Sequence, residues 1–72
     1  MNLLVSTYAA LRAADEGRLH RDEEGWYVQG RTRAFARTDL RKATVAELAG
    51  LIDEQAPHAL TEAGREALGN PQ

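Results

Sequence analysis

Residues 50–71 read GLIDEQAPHALTEAGREALGNP, and the predicted fold depends on them more than on any other part of the chain. Thr61 is a good N-cap, because its hydroxyl can accept a hydrogen bond from an N–H group of the first helical turn. The sequence therefore predicts a helix over 62–68, which the Gly-Asn-Pro sequence at 69–71 ends. Upstream, the short apolar pieces 51–52 and 59–60 are predicted to be strands around a loop at 53–57, which includes Pro57.

The amino-terminal half predicts a helix followed by a β-hairpin. Leu4, Tyr8 and Leu11 recur at helical spacing, and Gly17 stands where a helix often ends, so a helix is expected over 3–16. Two short stretches, 18–21 and 26–29, follow on either side of a polar turn in which Gly25 can adopt the positive φ of a hairpin. Residues 31–36 alternate between two faces and are interpreted as a strand or an irregular crossing.

A second helix is predicted over 38–49. Thr38 followed by Asp39 is a typical helix start, since a threonine cap and an early carboxylate satisfy exposed N–H groups and the positive helix end. An alternative start at Thr44 has capping-box spacing with Glu47. The longer helix is preferred, because the alternative leaves little more than one turn before Gly50.

The stretch from Leu48 to Leu68 resembles the closing segment of bacterial winged-helix DNA-binding proteins. Gly50-Leu51-Ile52, the loop at 53–57 and Leu60-Thr61-Glu62-Ala63-Gly64-Arg65 stand in the order of that family's strand, wing and final helix. The resemblance covers about the last third of the chain and implies a small winged-helix-like fold of the α+β class. It also implies DNA binding. The family has a further helix where 18–36 are predicted to be strands here, and this wing-like loop carries Asp53 and Glu54, which phosphates would repel.

Composition indicates one small domain over 1–72 in a reducing compartment. The 72 residues include no cysteine, which excludes disulfides and thiolate metal sites. The apolar start of the chain is too short for a membrane span, and no basic residue precedes Arg12 as a signal peptide would require. A cytoplasmic location without a membrane partner is therefore expected.

Charge is segregated along the chain, although the net charge is only −2. Residues 31–42 carry +4, whereas 1–30 carry −2 and 43–72 carry −4. The basic segment consists of Arg31, Arg33, Arg37, Arg41 and Lys42. Guanidinium groups bind phosphates, base edges and carboxylates, so this segment is the strongest functional signal. The alternative is a solvated face that the acidic flanks balance.

Two neighbouring aromatic residues lie on the second predicted strand. Successive side chains of a strand point to opposite faces, so Trp26 and Tyr27 cannot both face the core. Trp26 is predicted to be a core residue. Tyr27 is a candidate contact residue, because aromatic side chains are enriched at interfaces.

Catalytic and metal-binding patterns are missing from the sequence. His20 and His58 stand 38 positions apart, which does not predict a zinc site. Ser6 and Thr7 have no neighbouring base in sequence, and no glycine-rich phosphate loop occurs. Neither an enzyme nor a cofactor is expected.

The sequence thus leaves two functions open. The first is a small DNA-binding regulator or accessory protein with duplex DNA as its partner. The second is a non-catalytic protein-interaction module on the same framework. The acidic loop and the net negative charge favour a protein partner, whereas the family resemblance favours DNA. Homodimerisation stays open in both.

Overall fold

A computed structural model describes residues 3–30, 37–55 and 57–69. The helices of these residues are α1 (Val5–Asp15), α2 (Lys42–Leu48) and α3 (Glu62–Gly69). The strands are β1 (Leu19–Asp22), β2 (Gly25–Val28) and β3 (Thr38–Asp39), which form an antiparallel sheet of order β1-β2-β3. The predicted α+β class is confirmed. The prediction for 31–36 lies outside the described residues.

Helix α1 ends as its sequence predicts. Gly17 has a φ of 79°, the left-handed conformation that glycine adopts without steric cost. The N–H groups of Gly17 and Arg18 bond to the carbonyls of Ala14 and Ala13 at 3.1 and 2.7 Å. Together these two bonds make a Schellman cap, which turns the chain directly into β1.

The hairpin is confirmed, and its register is continuous. Leu19 lies opposite Val28, and Asp22 lies opposite Gly25. Gly25 has a φ of 122°, and the N–H of Glu24 donates to the Asp22 carboxylate at 2.9 Å across the turn.

The predicted helix over 38–49 is wrong at its amino-terminal end. Thr38 and Asp39 pair with β2 as strand β3, and α2 begins at Lys42 after an N-cap at Arg41. The start at Thr44 is also wrong. Backbone bonds to the neighbouring strand, such as the Leu40 N–H to the Trp26 carbonyl at 3.0 Å, satisfy these residues in place of a local cap.

The carboxyl-terminal third has the predicted order with shorter strands. Ile52 and Leu60 form an isolated antiparallel bridge around the loop, so one residue pair replaces the two predicted strands. Thr61 caps α3 as predicted, because its hydroxyl accepts a hydrogen bond from the N–H of Gly64 at 3.1 Å.

The core lies where α1 meets the sheet and the carboxyl-terminal third. Its buried apolar residues are Ala10, Leu11, Ala14, Leu19, Leu48, Ile52 and Leu60. Trp26 packs against this cluster and is partly buried, so it faces the core as predicted without being enclosed. No helix among the described residues is long and apolar enough to cross a bilayer.

Candidate functional site

Arg37 of the predicted basic segment is held by carboxylates of its own chain. Its guanidinium binds both carboxylate oxygens of Asp22 and lies 2.5 Å from the carboxylate of Asp39, with Glu24 at 3.7 Å. These hydrogen bonds lower the pKa of Asp22 to about 2 and raise the pKa of Arg37. Because two carboxylates already surround it, Arg37 contributes little positive charge to the surface.

The Tyr27 ring packs against the Arg37 guanidinium. The Arg37 guanidinium lies 4.0 Å from the centre of the Tyr27 ring, a cation–π distance, and the His20 ring packs beside the tyrosine at 5.5 Å. The structure therefore brings together two predicted site residues, Tyr27 and Arg37. Their contact is internal to the sheet and joins β2 to the segment before β3.

Arg41 and Lys42 are the exposed cations of the basic segment in the described residues. Both lie after β3 at the start of α2, and neither makes an ion pair with a described residue. Arg37 and Arg41 do not lie one turn apart on a helix, because β3 lies between them. Arg31 and Arg33 lie outside the described residues.

An apolar groove runs between α1 and the segment that joins β3 to α2. We call it the α1–β3 groove; it has a volume of about 870 Å³. Its apolar lining consists of Leu4, Val5, Ala9, Ala10, Val28, Leu40 and Ala43. Leu4 is 44% exposed and Val5 is 86% exposed, and they are the large apolar side chains that the described chain leaves open to solvent.

The charged groups at the groove differ in how they are engaged. Arg18 donates to the Glu16 carboxylate at 2.8 Å and to the Gln29 carbonyl at 2.7 Å. The Asp39 carboxylate is occupied by Arg37. Arg41, by contrast, has no ion pair with the described residues, so it is the charge at this groove that remains open to an incoming group.

Glu47 holds one wall of the groove in place. Its carboxylate accepts hydrogen bonds from the Leu4 N–H at 2.9 Å and from the Thr7 hydroxyl, and Ser6 and Thr44 share a further bond at 2.7 Å. The bonds from Thr7 and Leu4 lower the pKa of Glu47. Glu47 thus caps α1 from another helix. In the sequence, the capping-box spacing of Thr44 and Glu47 indicated a cap at the start of the second helix. In the structure, Glu47 instead bonds to the start of α1.

The loop at 53–57 has the acidic surface that its sequence indicates. Asp53 and Glu54 are exposed, and the Asp53 carboxylate accepts a hydrogen bond from the N–H of Gln55 at 2.9 Å. His58 follows the loop and has a φ of 60°. Its ring packs against the Trp26 ring in a T-shaped arrangement, with the two ring centres 4.6 Å apart. Within the described part of the loop no cation offsets the two carboxylates.

The two histidines contact different aromatic side chains, His20 on Tyr27 and His58 on Trp26. Among the described residues, no group of three or more His, Cys, Asp or Glu side chains is placed to hold a metal ion. No protein-family model, curated protein or solved structure matches this chain.

Proposed function

We propose that this chain is a cytoplasmic, non-catalytic protein-interaction module that receives a segment of a partner protein in the α1–β3 groove. The observation that carries the proposal is the exposure of Val5 and Leu4 at the edge of this groove. Exposed apolar side chains beside a concave apolar surface are typical of binding sites rather than of ordinary solvated faces.

The framework of the proposal is winged-helix-like. Helix α2, the loop between the bridged residues Ile52 and Leu60, and the Thr61-capped α3 follow one another in the order that the family resemblance implies. In this framework α1 and α2 form a scaffold. The hydrogen bonds that Glu47 of α2 accepts from Leu4 and Thr7 hold the two helices together. A rigid scaffold favours binding, because less order is lost when a partner docks.

Duplex DNA is the second candidate, supported by exposed Arg41 and Lys42 and by the family resemblance. Three observations favour a protein over DNA. Arg37 is neutralised by Asp22 and Asp39, the loop at 53–57 is acidic, and the whole chain is net negative. DNA binding relies on cations that can neutralise phosphates, and few are left in the described residues.

A peptide selection tests the proposed function. The chain is immobilised and challenged with a displayed library of random peptides, each about ten residues long and ~33 Å when extended. Selection is repeated on Val5→Asp, which places a carboxylate at the apolar edge of the groove, and on Ala63→Asp. Ala63 is exposed in the first turn of α3, so this control adds the same charge in the first turn of another helix, away from the groove. A carboxylate in the first turn is compatible with either helix.

The proposal expects enrichment of peptides on wild type and on Ala63→Asp, and loss of the same peptides on Val5→Asp. Equal enrichment on all three variants, or none on any, would refute it. A parallel titration with duplex DNA, at about 50 mM salt and up to about 50 µM protein, tests the second candidate. Binding whose log K falls with log salt by about 0.9 per neutralised phosphate would support DNA instead.

A further inference from the structure

Strand β3 forms one edge of the sheet in the described residues, and its hydrogen-bonding groups alternate in direction. The Leu40 N–H donates to the Trp26 carbonyl at 3.0 Å, and Tyr27 lies opposite Asp39 in the register. In an antiparallel ladder, bonded and non-bonded pairs alternate. The pair of Tyr27 and Asp39 is therefore a non-bonded one, so the N–H and C=O of Asp39 point away from β2, toward the side of β3 where no described strand pairs.

That edge borders the α1–β3 groove. The groove is lined on one side by four consecutive residues, Thr38, Asp39, Leu40 and Arg41. Val5 and Ala9 of α1 also line it. The backbone of Arg41 is still extended, with φ −76° and ψ 157°, so the edge continues past the two residues of β3. An extended peptide laid along this edge can bond to the Asp39 backbone and direct every second side chain into the apolar lining.

The charge at the groove indicates which polar group the peptide carries. Arg18 is engaged by Glu16 and by the Gln29 carbonyl, and Asp39 is engaged by Arg37. Arg41 is exposed and has no ion pair with any described residue. A guanidinium in that condition is matched by a carboxylate, which it can bind through two parallel hydrogen bonds.

We propose that the partner segment binds as an added β-strand on the edge of β3, with alternating apolar side chains in the α1–β3 groove and an acidic residue opposite Arg41. This inference rests on the proposed function, because it names the form and chemistry of the segment that the module receives. An amphipathic helix or a second copy of this chain in the groove are the competing occupants.

The peptides selected on wild type decide between these occupants. Added-strand binding expects apolar residues at every second position together with an aspartate or glutamate. Selection on Arg41→Glu should then enrich lysine or arginine at the acidic position, and an acidic peptide should lose about tenfold in affinity by fluorescence anisotropy. Arg41→Glu is compatible with the fold, since the side chain is exposed, makes no capping bond and precedes a helix that accommodates a carboxylate at its start.

An N-methyl scan of the best peptide tests the backbone pairing itself. Each amide is methylated in turn, which removes one N–H donor at a time. Only alternate amides of an added strand face β3, so the loss of affinity should recur with a period of two residues. A control scan on Ala63→Asp should give the same pattern.

Other results separate failure of this inference from failure of the proposed function. The first case is a set of peptides that require Val5 but do not behave as an added strand. Their apolar residues have helical spacing, or the N-methyl scan shows no two-residue period, or their charge preference is unchanged on Arg41→Glu. Any of these results overturns the added strand and leaves the interaction module intact. A dimer in sedimentation that Val5→Asp dissociates assigns the groove to a second copy and overturns the inference. Failure to enrich any peptide that requires Val5 overturns both.

Discussion

Gly64 is a helical glycine whose replacement by alanine should destabilise the protein, against the usual preference for alanine in helices. It lies in α3 and is buried against the backbone of Leu51, which follows α2 and precedes the bridge residue Ile52. A Cβ built on Gly64 would lie 1.9 Å from the carbonyl oxygen of Leu51 and 3.3 Å from a methyl of Leu60. The Leu51 oxygen is a backbone atom, so it cannot rotate away as a side chain would.

The size of the effect follows from what must move. To restore ordinary contact, the start of α3 and the Leu51 carbonyl must separate by about 1.5 Å. That carbonyl also accepts the N–H of Thr61 at 3.0 Å, so the shift weakens this bond as well. Overpacking of this kind costs roughly 1 to 3 kcal/mol and a lost backbone bond about 1 kcal/mol, against a helix-propensity gain of about 1 kcal/mol. The net loss of unfolding free energy is about 2 kcal/mol.

Chemical denaturation followed by circular dichroism measures this loss of unfolding free energy, and thermal unfolding measures the matching change in melting temperature. With a domain of this size, about 2 kcal/mol lowers the melting temperature by roughly 8 to 16 °C. Gly69→Ala is the matched control, because Gly69 ends the same helix and an added Cβ meets no atom within 4 Å. It should be neutral or gain up to about 1 kcal/mol. A Gly64→Ala variant as stable as wild type would show that α3 does not pack directly on the Leu51 backbone.

Three further predictions concern the cap, the partly buried indole and the ion pair. Thr61→Ala should cost about 0.5 to 2 kcal/mol in denaturant titrations. Thr61→Gly should cost nearly as much. A glycine at an N-cap usually costs only about a few tenths of a kcal/mol, but here the hydroxyl also donates to the Gly50 carbonyl at 2.8 Å, and glycine loses that bond too. Trp26→Ala should cost about 2 to 3 kcal/mol, below the range for a fully buried tryptophan, and wild-type melting would contradict its packing against the core. Since Arg37 lowers the pKa of Asp22 in the folded state, the stability from this pair is present above the ordinary aspartate pKa of about 3.9 and should be lost as pH falls toward about 2. The denaturation midpoint of Asp22→Asn should therefore fall less steeply between those pH values than that of wild type, and parallel curves would contradict the pairing.

Much of the fold could be predicted because it depends on residues close together in sequence. The cap at Thr61, the left-handed Gly17 and the hairpin turn at Gly25 each depend on groups only a few positions apart. Such signals act whatever the rest of the chain does, and the α+β class followed from their order. The helical spacing in α1 was also sufficient, since one apolar face is all that packing requires.

The candidate site could be predicted only in part. The sequence selected the basic segment but could not show that Arg37 binds Asp22, which lies 15 positions earlier. Nor could it show that Leu4 and Val5 remain exposed, because their positions at the start of an apolar helix also suit burial. The α1–β3 groove was missed for this reason. Its lining comes from α1, the sheet and α2, and no local pattern marks it.

By itself, the sequence determined α1, α3, the hairpin and the order of the elements, because local caps, turns and apolar spacing need no distant partner. The tertiary structure alone decided three features: β3 in place of a helix start at Thr38, Glu47 as a cap for α1, and neutralisation of Arg37. In each case part of the bonding comes from a partner that is distant in sequence: β2 for Thr38 and Asp39, α1 for Glu47, and Asp22 for Arg37. Because the chain entropy of bringing these partners together is offset by the packing of the whole fold, no local sequence signal marks the bonds that result.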